Sequence, residues 1–397
     1  VRLVIENFIC IKKAEVQFSE YTVFIGEQAS GKSLISKLYF FLRDSVSTSI
    51  VSTIPKKGWD DFKLEILEKF DSIFPEYSWR NTSFSVKMLN ESNLEVIKIL
   101  HKKGRKSVEL IFSPQFRTDY DTIKNLYEVA KKSNKNTFEY FERDFMSIDL
   151  LSRAYKKLKN KDFMEDVTYI PSGRSFFSVI RDNVFGFLSE NIGIDPFLKS
   201  FGRFYEFSKR INLARRVNRK DLQKFDELSY FVLKGEFQTE KNDDWIMAND
   251  RKVLVSNSSS GQQEALPLML GLRALLISKS VLGVRSVIVE EPEAHLFPDS
   301  QKSIIEAIFL ANDLGMNSKF LITTHSPYIL SCINNQLIKR QNAKDSVTKN
   351  VSIAAYFLSG GNVTSILDAE TGLINGNALD SVSDSLAKEF YDILGNL

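Results

Sequence analysis

The chain has 397 residues, 43% hydrophobic and 26% charged, and its 53 Lys and Arg against 50 Asp and Glu give a formal net charge of +3. This balance excludes a disordered polyelectrolyte and a disulfide-stapled miniprotein, leaves room for one large or two moderate globular domains, and is too mildly basic to demand a nucleic-acid partner. Cys10 and Cys332 have no metal-ligand spacing around them, "VRLVIENF" is not an export leader, and the apolar run Ala265–Val284 is broken by Pro267, Arg273 and Lys279, so a cytoplasmic protein without a membrane span is expected.

In chain order, "RLVIENFICI" and "AEVQF" alternate like a hairpin, "TVFI" is a short strand, and "GEQASGKS" separates it from the helically spaced "LISKLYFFL". "FKLEILEKF" then reads as an amphipathic helix, and "SFSVKML", "LEVIKIL" and "SVELIF" as antiparallel strands divided by "NESN" and "KKGRK". Asp119 to Lys161 is lysine-rich and helical, "VTYIP" returns to strand, and "SGRS" breaks it. Phe176 to Leu233 is again helical, and "DWIMANDRKVLV" predicts a hairpin turning at Asn249-Asp250. Past "SSSGQQE", helices alternate with the strands "SVIVEE" and "KFLITTH"; "VSIAAYFL" and "NVTSILD" close the strand series before a last helix from about Ser381.

Three segments carry chemistry. Gly26, Glu27, Gln28, Ala29, Ser30, Gly31, Lys32 and Ser33 form a complete GxxxxGK[ST] between a strand and a helix. Its glycines let backbone N–H groups converge on phosphates, Lys32 supplies a cation, and the Ser33 hydroxyl can ligate Mg²⁺. In "SVIVEEPEAHLFP" an apolar strand ends on Glu290-Glu291, at the edge where parallel sheets bind ligands. One carboxylate there can serve a metal shell and the next can deprotonate an attacking water. "KFLITTHSPYIL" puts His325 at another strand end, placed to hydrogen-bond a γ-phosphate. His295 is divided between a subunit-contact loop and simple packing, and His101, in "HKKGRK", is expected at the surface.

The order phosphate loop, long insertion, "SSSGQQ", "IVEEPEAHL", "TTHSP" resembles the ABC-type ATPases, most closely the SMC/RecF/OLD branch. Within that branch it is similar to stand-alone ATPases of anti-phage systems such as PARIS and Septu. The resemblance implies an α/β fold: an ABC-type P-loop head with a mixed sheet, an antiparallel β-subdomain and a helical subdomain. Residues 1–48 and 166–397 would form the head, about 175–285 the helical signature subdomain, and 49–165 an inserted β/helical region.

It also implies ATP and Mg²⁺ as cofactors. Gly26 to Leu34 would bind the nucleotide together with Ser259, Ser260, Gly261 and Gln262, a signature loop reaching the ATP of a second subunit. Ser33 and Glu290 would serve the metal, and Glu291, His325 and Lys32 would be catalytic. Ser258 and Ser260 stand where the family has leucine and glycine, Glu290 where aspartate is commoner, and "PSGR" where a Q-loop glutamine is expected, which suggests Arg174 and Ser172 beside the nucleotide.

The implied partners are a second copy, as a homodimer or higher oligomer, and a separate effector such as a TOPRIM- or HNH-type nuclease. No nuclease centre is expected in this chain, because the stretch after His325 is shorter than the ~100 residues of an added α/β domain. A RecF- or SMC-like repair ATPase that clamps DNA directly stays open. So does the role of Arg203, Lys209, Arg210, Arg215, Arg216, Arg219 and Lys220, either a solvated helix face or a surface for nucleic acid or an acidic protein.

Overall fold

The computed structural model describes residues 1–52, 58–133, 165–179, 195–211, 219–240, 243–248, 251–278, 284–316, 318–342, 351–375 and 388–393. The chain opens with β1 (Arg2–Phe8), β2 (Ile11–Gln17) and β3 (Tyr21–Gly26), followed by α1 (Lys32–Ser52) and α2 (Trp59–Ile73). The first hairpin turns at Ile9-Cys10, earlier than the apolar run "FICI" suggests, because Asn7 and Ile9 both take left-handed backbone (φ 53°). Next come β4 (Phe84–Leu89), β5 (Glu95–His101), β6 (Glu109–Phe112), α3 (Pro114–Ser133) and β7 (Asp166–Ile170).

A helical turn at Phe176–Val179 precedes α4 (Pro196–Ile211) and α5 (Arg219–Leu233). The strands β8 (Glu236–Glu240), β9 (Asp243–Ala248) and β10 (Arg251–Leu254) make a separate antiparallel sheet. Then follow α6 (Ser260–Ile277), β11 (Arg285–Glu290), α7 (Pro298–Ala311), β12 (Ser318–Thr324), α8 (Pro327–Asn342), β13 (Ile353–Ser359) and β14 (Asn362–Ser365).

The main sheet is mixed, with strand order β6-β5-β4-β1-β2-β14-β13-β3-β12-β11-β7. One half, β6 to β2, is antiparallel; the other, β13-β3-β12-β11-β7, is parallel. The strands β4 to β6 continue the sheet of the first hairpin, since Arg2 pairs with Leu89 and Ile5 with Val86.

Period-two alternation makes the molecule three-layered. Phe24, Ile288 and Leu321 point into one core with α1, α2 and α3, whereas Val23, Ile25, Val287, Val289, Phe320 and Ile322 enter a second core with α4 to α8. Strands buried on both faces need helices on both faces, which is why β3, β11 and β12 read as near-continuous apolar runs. No helix among the described residues is long and apolar enough to cross a membrane.

His101 corrects its sequence reading. It is 3% exposed, its ring nitrogens lie 2.7 and 2.9 Å from the carbonyls of Thr82 and Arg105, and Trp79 packs edge-on against it. In the basic stretch, α4 buries Phe201 and Tyr205, leaves Phe207 exposed, and holds Lys209 against Asp244 and Glu206. Arg203 and Arg210 face solvent. Arg215, Arg216, the lysines from Lys135 to Lys161 and the hairpin tip Asn249-Asp250 lie outside the described residues.

Candidate active site

Sheet register assembles the site. Thr324 pairs with Ile25, Glu290 with Thr323, Val289 with Ile170, and Leu358 with Gly26, so the carboxyl ends of β3, β12, β11 and β7 lie along one edge. The segments that follow these strands, Gly26–Ser33, Glu291–His295, His325 and Ser172–Arg174, therefore converge there although they are spread over some 300 positions of the sequence.

The loop after β3 is shaped by its glycines. A Cβ on Gly26 would lie 2.3 Å from the Leu358 carbonyl oxygen. Gly31 has φ +102°, and a Cβ there would lie 2.4 Å from Ile11 Cδ1. Lys32, 5% exposed, donates to the carbonyls of Gly26 (2.8 Å) and Glu27 (2.7 Å), and its Nζ is 3.4 Å from His325 Nδ1. Burial pushes the Lys32 ammonium below its ordinary pKa, with the charges of Glu291 and Glu293 opposing that shift. Glu27, Gln28, Ala29 and Ser33 are exposed and Ser30 is half-buried. Leu34 turns its side chain toward the core, so it can offer a ligand only backbone.

Glu291 has left-handed backbone (φ 42°), a conformation that costs a β-carbon-bearing residue about 1–3 kcal/mol. It is held by its own N–H on the Thr323 carbonyl (2.9 Å) and by Arg174 Nη2 donating to its carbonyl (3.1 Å). The result is a half-exposed carboxylate whose Oε1 stands 3.5 Å from His325 Nε2. His325 thus lies between Lys32 and Glu291.

Glu290 is 3% exposed; its Oε2 accepts from the Ser172 N–H (3.2 Å) and its Oε1 makes no hydrogen bond. The neighbouring Tyr169 hydroxyl is likewise buried without a bond of normal geometry, and its pKa is raised by burial and then by Glu290. One fixed carboxylate oxygen and one without a hydrogen bond of normal geometry, with the exposed hydroxyl of Ser33 at the start of α1, is a donor set of the kind that fits Mg²⁺ or its bound water.

Two residues at this edge were not foreseen in the sequence. Glu293 Oε1 accepts from the Thr324 hydroxyl and the His325 N–H, both at 2.7 Å, and so clasps the histidine's backbone; burial raises the pKa of its carboxyl. Its only sequence signal is a third acid in "EEPE". Glu264, in the first turns of α6, is 2% exposed and engages Arg174 and Ser175. Arg174 itself is fully buried and bonds to backbone, so it supports the strand ends from behind and does not face a ligand.

The segment Ser259–Gln262 begins α6. Ser259 is its N-cap: the Ser259 hydroxyl accepts from the Gln262 N–H, and Gln262 Oε1 accepts from the Ser259 N–H (3.1 Å), a reciprocal capping box. Gln262 Nε2 also donates to the Leu233 carbonyl (2.7 Å), and Gln263 Nε2 ties down the carbonyls of Val255, Ser256 and Ser258. The two glutamines thus fix the turn, while Ser259 and Ser260 remain exposed on a helix N-terminus. Gly261 abuts its own chain, for a Cβ there would lie 2.7 Å from the carbonyl oxygen of the exposed His295 (φ 58°). A substitution at Gly261 would therefore disturb the Glu291–His295 turn as well as any contact beyond this chain.

Among solved structures, the chain is similar to an SMC head bound to the C-winged helix domain of ScpA (16% identity, 93% of this chain and 97% of that one, TM-score 0.43). It is also similar to the SMC head domain from Thermotoga maritima (13%, 92% and 97%, TM-score 0.38) and to the Pyrococcus furiosus Smc head domain bound to the C-terminal domain of ScpA (15%, 96% and 98%, TM-score 0.36). Likenesses at these scores bear on neither mechanism nor partners. No curated protein matches the sequence. The family described as AAA ATPase domain matches residues 1–330, a span holding the phosphate loop, the paired glutamates and His325, and the chain belongs to that family.

Proposed function

We propose that this chain binds ATP with Mg²⁺ at the β3–β12–β11 edge, pairs with a second copy across that edge, and hydrolyses the nucleotide to ADP and phosphate. The single observation that carries the reading is the convergence of Lys32, Glu291 and His325 within 3.5 Å contacts at the mouth of the glycine loop. Lys32 would exchange its two loop carbonyls for phosphate oxygens, and His325 would hydrogen-bond the terminal phosphate. Glu291 would take the proton of the attacking water. Ser33 and Glu290 would hold the Mg²⁺ shell, and the bound ion would supply charge neutralisation at the phosphates. The exposed N-terminus of α6, Ser259 to Gln262, would meet the partner's nucleotide, as a helix N-terminus favours an anion.

The order of motifs further supports a switch that holds or releases a separate effector, of nuclease type, in anti-phage defence. Binding of DNA by the purified chain, dependent on ATP and steeply weakened by salt, would replace that role with a direct DNA clamp.

The reading is tested with a fluorescent ATP analogue, phosphate release and light scattering on the same preparation. Wild-type protein should bind nucleotide, form ATP-dependent pairs and release phosphate; Lys32→Ala should weaken binding at least tenfold, roughly 1.4 kcal/mol. Equal affinity in the two proteins would remove Lys32 from the site. Ser260→Arg, at an exposed position, should leave nucleotide binding by the single subunit intact and eliminate ATP-dependent pairing. Pairs of unchanged stability would exclude the α6 N-terminus from the interface.

A further inference from the structure

Arg174 and Glu264 form an ion pair that nothing in nucleotide binding requires. The guanidinium is wholly buried, with Nε 3.5 Å from Glu264 Oε2, and it donates to four carbonyls: Glu264 (3.1 Å), Pro171 (2.8 Å), Glu290 (2.7 Å) and Glu291 (3.1 Å). In return, the Glu264 carboxylate accepts the N–H of Arg174 (3.0 Å) and both the N–H (3.1 Å) and hydroxyl (2.7 Å) of Ser175. Three segments are clamped by this pair: the turn after β7, the first turns of α6, and the exit of β11 where Glu291 is held in its left-handed conformation.

We infer that Arg174, locked by Glu264, is a positioning residue that couples the N-terminus of α6 to the carboxylate of Glu291. The inference rests on the proposed function, in which that N-terminus contacts the partner's ATP while Glu291 acts on the ATP of its own subunit. The two ends of the clamp would then serve different nucleotides, and a shift of α6 on engaging one is relayed to the base that hydrolyses the other. Geometry favours arginine for this task. A planar fork reaches several carbonyls at once, whereas an ammonium is a point donor. Glu264, on α6, faces Arg174 and Ser175 of the turn after β7, and the carboxylates acting on the Arg174 charge are Glu264 first, then Glu293, Glu290 and Glu291.

The test measures phosphate release against ATP concentration for wild type, Arg174→Lys and Glu264→Gln, each normalised to folded protein by thermal melting and to nucleotide affinity. Wild type should show a Hill coefficient above one. In both variants it should fall to one and kcat should fall roughly tenfold to a hundredfold, the size expected for sub-ångström to ångström misplacement of a catalytic group, with nucleotide affinity and ATP-dependent pairing retained. Cooperative wild-type turnover that survives unchanged per folded molecule in either variant overturns the inference. Wild type that neither pairs nor hydrolyses overturns the proposed function instead, so the two failures are distinct.

Discussion

Glu291→Gln is expected to retain ATP, trap the paired state and lower kcat by about 10³-fold, within the 10²–10⁴ range for removal of a general base. The substitution is nearly isosteric, and the features that place the side chain are backbone ones: the N–H of residue 291 on the Thr323 carbonyl and its carbonyl under Arg174. Neither depends on the carboxylate, so the left-handed backbone should persist. What is lost is the proton acceptor beside His325, together with one of the two negative charges acting on Lys32. Removing a carboxylate from the neighbourhood of an anionic ligand should also tighten ATP binding. Single-turnover phosphate release and light scattering in ATP read the two effects separately; a kcat within fivefold of wild type would sink the assignment of Glu291 as base.

The site was more legible in the sequence than its supports were, and the reason is physical. A glycine loop between strand and helix, or two acids at the end of an apolar strand, is a local pattern whose chemistry follows from residue type and spacing, and Lys32, Glu291 and His325 do meet. The supports depend on side chains that fold back into the interior. Nothing local in "PSGRS" indicates that Arg174 is swallowed by carbonyls from three segments, and nothing in "SSSGQQE" shows that its amides fasten a turn while its glutamate grips Arg174.

The sheet divides in the same way. The strands β4, β5 and β6 were visible from their alternation, but the pairing of Arg2 with Leu89 joins positions far apart in sequence, and no local pattern specifies it. His101 was misread for a related reason. "HKKGRK" has the composition of a surface turn, while the two carbonyls that hold the imidazole come from Arg105 and from Thr82, just before β4.

Glu165→Ala is expected to destabilise the fold by about 3–5 kcal/mol while leaving nucleotide turnover per folded molecule unchanged. Glu165 is 2% exposed and sits just before β7, at the opposite end of the parallel strands from the phosphate loop. Its Oε1 lies 2.7 Å from Lys319 Nζ and 3.6 Å from Arg43 Nη2, and its Oε2 accepts from the Ser286 hydroxyl, so one carboxylate ties together α1, β11 and β12. Arg43 has no exposed side-chain surface, and removal of Glu165 takes away a buried carboxylate 3.6 Å from its guanidinium.

Burial by itself would raise the Glu165 pKa, but Arg43 and Lys319 outweigh it and hold the carboxyl below its ordinary value of 4.5. A carboxyl depressed on folding contributes stability above the unfolded pKa and loses it as pH falls through the folded one. Wild-type stability should therefore decline below pH 4.5, and Glu165→Ala should show a flatter decline there. Urea unfolding at pH 7 and at pH 4 measures both effects. The double variant Glu165→Leu with Arg43→Met removes both charges and should recover most of the loss, since an apolar pair of similar volume often matches a buried ion pair. A double variant no more stable than Glu165→Ala would show that the hydrogen bonds to Ser286 and Lys319, rather than the loss of the Arg43–Glu165 pair, set the size of the effect.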